Sequence, residues 1–405
     1  MVSWVFYALS RHEGAVNRHE GGWIDVRANR RCVLHVGTTK AGSSSIQESL
    51  YFGLRDPGYQ YISLGCVNSG RVLGTLFRKA PEGFDYNRRF GRDSDSVHRE
   101  RDEFAERLRR QLLFCRERGK TIVLSAENMW VWDRSELESV REFFGSFGYS
   151  VEVYLYFRPW KSWIESDFQE GIKLGNRLQE FIPESRLKHL NYLGQLKELQ
   201  GVFGESCVFP KAFLPATWLD RCVVRDFCER ARIPISPNRI VRVNEGLCLD
   251  ALRLLAAFRK YHSGYEPGIR SVVHNEILCR TLGDVPGPRV AFHSGLVADL
   301  EQVWEVQREE LEGILGESLT EDLQRYDNGA CLRGPGDLFE FSTESLRWLE
   351  HHTKLGPIPE GGDSERIRAV GERMHGLCYH PSLGARYGFH AMLMKRRLAH
   401  GLRGV

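Results

Sequence analysis

Three groups of side chains carry chemistry in this sequence, and each follows an apolar run. The first is Gly37-Thr38-Thr39-Lys40-Ala41-Gly42-Ser43-Ser44-Ser45, after Cys32-Val33-Leu34-His35-Val36. Small residues let a backbone turn tightly and expose its N–H groups. Helix N-termini carry unpaired N–H groups and a partial positive charge, so a loop of this kind ahead of a helix makes a cradle for a phosphate or sulfate. Ile46, Leu50 and Leu54 repeat at i, i+4, which predicts that helix over 43–54.

The second group is Arg158, directly after Val151–Phe157 (VEVYLYF), with Ser166 eight residues later and Ser162 one helical turn before it. Arginine suits an anion here, because its fork makes paired, charge-assisted hydrogen bonds to phosphate oxygens. The third is Glu127, in LSAEN at the end of Thr121-Ile122-Val123-Leu124. A carboxylate so placed can take a proton, or it can stabilise the dipole of the next helix.

These elements read as strand, loop, helix in alternation, which argues for an α/β fold with a central parallel sheet covered on both faces. Helices are predicted over 98–119 and 135–147. In such sheets ligands bind at the carboxyl ends of the strands, where the cradle, Glu127 and Arg158 all fall. After residue 160 helices dominate, over 160–172, 187–199, 218–231, 247–261 and 297–315, with a short strand at Cys207-Val208-Phe209. The stretch 59–64 alternates like a strand. The Gly-, Arg- and Asp-rich stretch 79–95 reads as a long surface loop, a lid, and beyond Asp327 the pattern weakens.

A nucleoside-triphosphate loop would read G-x4-G-K-[S/T]. Gly37 and Gly42 keep the spacing, but Ser43 stands in the lysine slot and Lys40 lies inside the loop. The arrangement K-x-G-[S/T]-[S/T] after a strand resembles the phosphosulfate loop of sulfotransferases that use 3′-phosphoadenosine 5′-phosphosulfate (PAPS). GTTKAGSSSIQ looks like that of the large bacterial, carbohydrate-type group. The resemblance covers about residues 31–260. It implies a P-loop-like three-layer fold, with Thr38, Thr39, Lys40, Ala41, Gly42, Ser43, Ser44 and Ser45 on the 5′ end of the nucleotide. It also implies Arg158 and Ser166 on the 3′-phosphate, and Glu127 with Lys40 as the catalytic pair. PAPS is then the co-substrate and 3′-phosphoadenosine 5′-phosphate (PAP) the product. No metal is required, and the acceptor is a carbohydrate or glycoconjugate hydroxyl, with a small-molecule natural product as the other acceptor class. Val241-Arg242-Val243-Asn244-Glu245 is similar to a segment of the same group, without an assigned role.

The remaining residues bound the reading. The chain has 405 residues, 42% hydrophobic and 27% charged, enough for one large domain with an appendage. The expected division is an N-terminal extension (1–30), the α/β core (31–260) and a mostly helical C-terminal part (261–405). Lys+Arg 56 against Asp+Glu 53 leaves a net charge of +3, so bulk electrostatics give no reason to expect nucleic acid. The ten cysteines are scattered without a CxxC pair, which reads as reduced thiols in a cytoplasmic protein with no zinc site. Val2–Leu9 is apolar but too short to span a bilayer, and no other stretch has transmembrane length. His35 reads as a sheet histidine, Lys211 and the basic tail from Lys395 as surface charges, and Trp130 and Trp132 as core. Two other classes stay open. One is a P-loop kinase or nucleotidase, against which the missing lysine after Gly42 counts; the other is a non-catalytic nucleotide-binding protein.

Overall fold

In this computed structural model, residues 30–175, 188–243, 246–262, 268–360 and 362–401 are described. The N-terminal segment up to residue 29, Leu187, Asn244 and Glu245, and the basic side chains of Lys395-Arg396-Arg397 and Arg403, lie outside them.

Five strands form the sheet: β1 (Arg30–Gly37), β2 (Tyr59–Tyr61), β3 (Thr121–Ser125), β4 (Tyr149–Phe157) and β5 (Val208–Ala212). Their order is β2-β3-β1-β4-β5, and every pairing is parallel. Strand side chains alternate faces, and here both faces are apolar. Cys32, Leu34, Val36, Ile122, Leu124, Val153, Leu155 and Phe157 enter one core. Val33, Val123, Tyr154 and Tyr156 enter a second on the opposite face. Parallel neighbours need a crossover, and helices supply it while covering those faces.

The helices in chain order begin with α1 (Ser43–Gly53), α2 (Gly70–Phe77), α3 (Asp85–Arg89), α4 (Ser94–Glu117) and α5 (Arg134–Ser146). Then come α6 (Trp160–Lys173), α7 (Tyr192–Phe203), α8 (Val223–Arg230) and α9 (Leu249–Tyr261). The C-terminal set is α10 (Ile269–Thr281), α11 (Ala298–Leu315), α12 (Thr343–Thr353), α13 (Asp363–Tyr379) and α14 (Leu383–Gly401). The second core is closed by α1 through Ile46 and Leu50, and by α8 through Val224 and Phe227. The first is closed by α4, α5, α7 and α9, and continues into α13 at Val370 and Met374. Among the described residues no helix is long and apolar enough to cross a membrane.

Helix α8 begins at Val223 rather than at 218, because Asp220 and Arg221 take positive φ, and two further segments differ from expectation. The stretch 79–95 is not a long loop: it carries a 3-10 turn at Pro81–Gly83, then α3 and the start of α4. Aliphatic content there is low because other contacts pin it. The Asn87 amide is buried and donates to Pro81 O (2.8 Å), and Phe84 packs so closely that a Cβ on Gly74 would lie 2.6 Å from its ring. Beyond Asp327 three helices follow where the pattern weakened. Helix α12 is capped by the Ser342 hydroxyl, which accepts from Ser345 N.

The sheet's centre also constrains its own exit. Gly37 ends β1 at φ 123°, and a Cβ there would sit 2.4 Å from the Glu127 carbonyl oxygen. Only glycine fits both the dihedral and the gap. Gly37→Ala is expected to cost about 2 kcal/mol or more of folding stability, from left-handed strain plus a clash with backbone. Urea unfolding of the variant against wild type measures this; an unchanged midpoint would remove the constraint.

Candidate active site

The loop leaving β1 folds back on β4. Thr38 N and Thr38 Oγ1 both donate to Tyr156 O, at 3.1 and 2.8 Å. Lys40 takes φ 64° and Gly42 φ 80°, so the loop coils before α1 begins. Helix α1 starts with no side-chain cap, whereas α4, α5 and α7 are capped by Asp93, Asp133 and Asn191. Its first residues line a cleft of about 560 Å³.

That cleft lies beyond the carboxyl ends of β1, β3 and β4. It brings together Lys40, Gly42, Ser43, Ser44, Ser45, Glu127, Arg158, Ser162 and Ser166. Three residues of the loop are turned elsewhere. Thr38 is buried against β4, Ala41 packs in the second core, and Thr39 receives the Trp163 indole N–H at its carbonyl (3.1 Å). Their part is to shape the loop.

Arg158 ties the two anion-seeking regions together. Its Nη1 donates to Lys40 O at 2.9 Å and its Nε to Ser162 Oγ at 3.3 Å. Burial, and after it the neighbouring Arg289, push its pKa below the usual guanidinium value; it stays charged, since no ordinary environment deprotonates arginine. Lys40 Nζ forms an ion pair with Glu170 Oε2 at 2.8 Å. Glu127 follows β3, and burial raises its carboxyl pKa. The Lys40 charge pulls it back down, Glu170 pushes it up, and a Ser43 hydrogen bond lowers it.

Several cleft residues escaped the sequence reading. On α6, Ser162, Ser166, Gln169, Glu170 and Lys173 all line the cleft. They continue one helical stripe at steps of four, three, one and three, so the signal was present once Ser162 and Ser166 were placed. Gln169 clamps the opposite wall: its Nε2 donates to Leu247 O (2.9 Å) and its Oε1 accepts from Leu247 N (3.1 Å). The 241–243 segment, which had no assigned role, is stitched to α1. Val241 N donates to Ser49 Oγ (2.9 Å) and Val243 N to Ser45 Oγ (3.2 Å). Arg289 enters from an isolated bridge to Cys248. Nothing in its local sequence marked it.

Other candidates sit away from the cleft. His35 is buried in β1, its Nδ1 2.7 Å from Ser125 Oγ, and burial with Arg230 nearby lowers its pKa to about 3. Lys211 is paired with Asp226 at 2.5 Å, and Trp130 and Trp132 are core. Among the described residues no cluster of His, Cys, Asp and Glu has the makings of a metal site.

No family model matches the chain, and no curated protein does. Among solved structures, it aligns with the crystal structure of a sulfotransferase from Alicyclobacillus acidocaldarius at 13% identity and a TM-score of 0.39. That alignment covers 71% of this chain and 97% of the other.

Glu165 lines the cleft; its carboxylate forms a buried ion pair with Lys161 Nζ at 3.0 Å and accepts from Phe292 N (3.0 Å). Removing Lys161 leaves the buried Glu165 carboxylate with Arg289 Nη2, at 3.4 Å, and the Phe292 N–H. Lys161→Met should therefore lose about 2 kcal/mol of stability, less than breaking a pair with no second cation, read as a lowered urea midpoint; a loss below a few tenths would mean that Arg289 takes over the carboxylate.

Proposed function

We propose that this protein is a sulfotransferase that moves the sulfonyl group of PAPS to an acceptor hydroxyl. The observation that carries the reading is a convergence. A loop with its lysine inside, an uncapped helix start, an arginine with serines on the next turns, and a carboxylate all meet on one cleft. The chemistry of that donor set suits a nucleotide with anionic groups at both ends. Arg158, Ser162 and Ser166 form one cationic and hydroxyl-lined end, and Arg289 adds a second guanidinium beside Arg158. Lys40 and the start of α1 form the other. Val243, Leu247 and Val290 supply an apolar stretch of wall between loops, suited to a base.

When bound, PAPS supplies an activated sulfonyl group with PAP as leaving nucleotide. Lys40 then stabilises negative charge at the 5′ end, as preorganised cations and N–H dipoles do in phosphoryl transfer. Glu127 accepts the acceptor's proton. Its raised pKa fits that task, because a base works best when its proton affinity approaches the working pH. Arg158 and Ser166 hold the 3′-phosphate, and Arg158 simultaneously fixes the Lys40 carbonyl, so nucleotide grip and lysine placement share one side chain. The acceptor favoured by a glutamate base is a carbohydrate or glycoconjugate hydroxyl; a small-molecule natural product is the other class. Helices α2 and α3, on the Glu127 side, and the C-terminal helices are where acceptor choice would lie.

Thermal-shift titration tests the donor. PAP without magnesium should raise Tm, and stabilisation only by magnesium-ATP would overturn the reading in favour of a kinase. Arg158→Ala should weaken PAP binding about 10- to 100-fold, the worth of charge-assisted hydrogen bonds to phosphate, measured by calorimetry. For the chemistry, transfer from radiolabelled PAPS to cell-extract acceptors identifies a product. With it, Glu127→Gln should slow turnover about 100-fold or more. The wild-type kcat/KM should rise with pH as Glu127 loses its proton, with a midpoint above the usual carboxylate range because its pKa is raised. Near-normal turnover in that variant would remove Glu127 as base.

A further inference from the structure

Glu170 is absent from the roles above, yet it holds the one lysine on which they turn. We infer that Glu170 is a positioning residue: its carboxylate fixes the Lys40 ammonium across the cradle and, through that lysine, sets a second carboxylate against Glu127. The inference rests on the sulfotransferase reading, in which Lys40 and Glu127 flank the transferring group.

The geometry around Lys40 is held at three points. Its backbone sits at φ 64°, a conformation a side-chain-bearing residue adopts only when its surroundings hold it there. Arg158 binds the Lys40 carbonyl (2.9 Å) and Trp163 binds the carbonyl before it, on Thr39 (3.1 Å). Those two contacts set the direction in which the side chain leaves the loop. Glu170 then sets where it ends, at 2.8 Å from the ammonium. Arg158 stands just ahead of α6, while Trp163 and Glu170 lie on it, so loop and helix are fixed as one unit. An exposed lysine–glutamate pair contributes little to stability. This pair is itself partly exposed, so its part is not stability: it stands on the cleft wall, where the lysine's reach decides what it can stabilise.

The charges around the two carboxylates can be named. Glu127 faces Lys40 from the loop, Ser43 from α1 and Glu170 from α6. Glu170 faces Lys40, Lys173 of its own helix and Arg89 of α3. Lys40 therefore stands between two carboxylates. Glu170, rich in cationic neighbours, keeps its pKa below the usual carboxylate value despite burial, while that of Glu127 is raised. One carboxylate stays charged to hold the lysine and the other keeps its affinity for a proton. A negative Glu170 offsets part of the pull that Lys40 exerts on Glu127.

Removing that charge should move Glu127 in a defined direction. In Glu170→Gln, Lys40 acts on Glu127 without opposition, so the Glu127 pKa should fall by about half a unit or more. The probe is carboxyl-carbon NMR of the full chain with isotope-labelled glutamate, with the Glu127 signal assigned by its loss in Glu127→Gln. Glu170→Asp keeps the charge and should retain most of the wild-type titration. Sulfate release from PAPS into water should slow about tenfold in Glu170→Gln, while PAP affinity by calorimetry falls less, by about threefold, since Arg158 and Ser166 still hold the 3′-phosphate and only the Lys40 contact to the 5′ end is loosened. An unmoved Glu127 titration in Glu170→Gln, or equal shifts in both variants, overturns the inference. Wild-type protein that fails to bind PAP overturns the sulfotransferase reading instead, and the NMR titration still decides the pairing of Glu170 with Glu127.

Discussion

The structure depends on how closely three strand ends are held together. A strand that ends at Gly37 leaves no room for a side chain, because the carbonyl of Glu127 stands where a Cβ would be. The next residue gives both its N–H and its hydroxyl to Tyr156 O, so β1 and β4 stay joined past the last ladder pair. Arg158, one residue beyond β4, reaches back to the Lys40 carbonyl. These bonds are short in space and long in sequence. They convert the carboxyl edge of the sheet into a fixed platform, which sets where the backbone of a lysine, an arginine and a glutamate stands.

The order β2-β3-β1-β4-β5 explains why the platform is also a cleft. The chain leaves β1 toward one edge of the sheet, returns to lay β3 beside it, and then crosses to the other side for β4. Connections on the two sides of β1 diverge, which opens a crevice above the central strand. The loop after β1, Glu127 after β3 and Arg158 after β4 border that crevice. Parallel pairing places all their carboxyl ends at one edge; the crossover decides that they face a common space.

Much of this was legible in sequence, for reasons that also mark where legibility ended. Strands β1, β3 and β4 are near-continuous apolar runs, because both faces of a parallel sheet are buried; β4 stops directly at Arg158, while β1 and β3 stop three and two residues short of Lys40 and Glu127. Helix α6 was readable from its first turns, but only Ser162 and Ser166 were drawn from it. Gln169, Glu170 and Lys173 lie on the same stripe and were not drawn. Arg289 has no local signal because its place depends on an isolated bridge to Cys248, a contact between segments that no local pattern announces. The stretch 79–95 hides its helical turns from a sequence reading for a related reason. Its order comes from a buried amide and an aromatic ring packed on a glycine, neither of which alters the apolar content from which loops are read.

The C-terminal helices enter the argument through α6. At its first turn, Ser162 N donates to Glu321 Oε1 at 3.1 Å, a carboxylate brought in from beyond α11. At its last turn, Arg259 of α9 donates to the carbonyls of Ile172 (3.1 Å) and Lys173 (3.0 Å), and the Asn275 amide of α10 adds a second bond to Lys173 O (3.0 Å). An anion sits at the positive end of the helix and a cation at the negative end, so both contacts follow the macrodipole as well as satisfying orphan backbone groups. The helix that carries the whole polar stripe of the cleft is thus anchored at each end by residues that come after the α/β sheet is complete. A part of the chain remote from the loop in sequence sets the axial position and rotation of α6. Through Glu170 it therefore bears on where the ammonium of Lys40 ends.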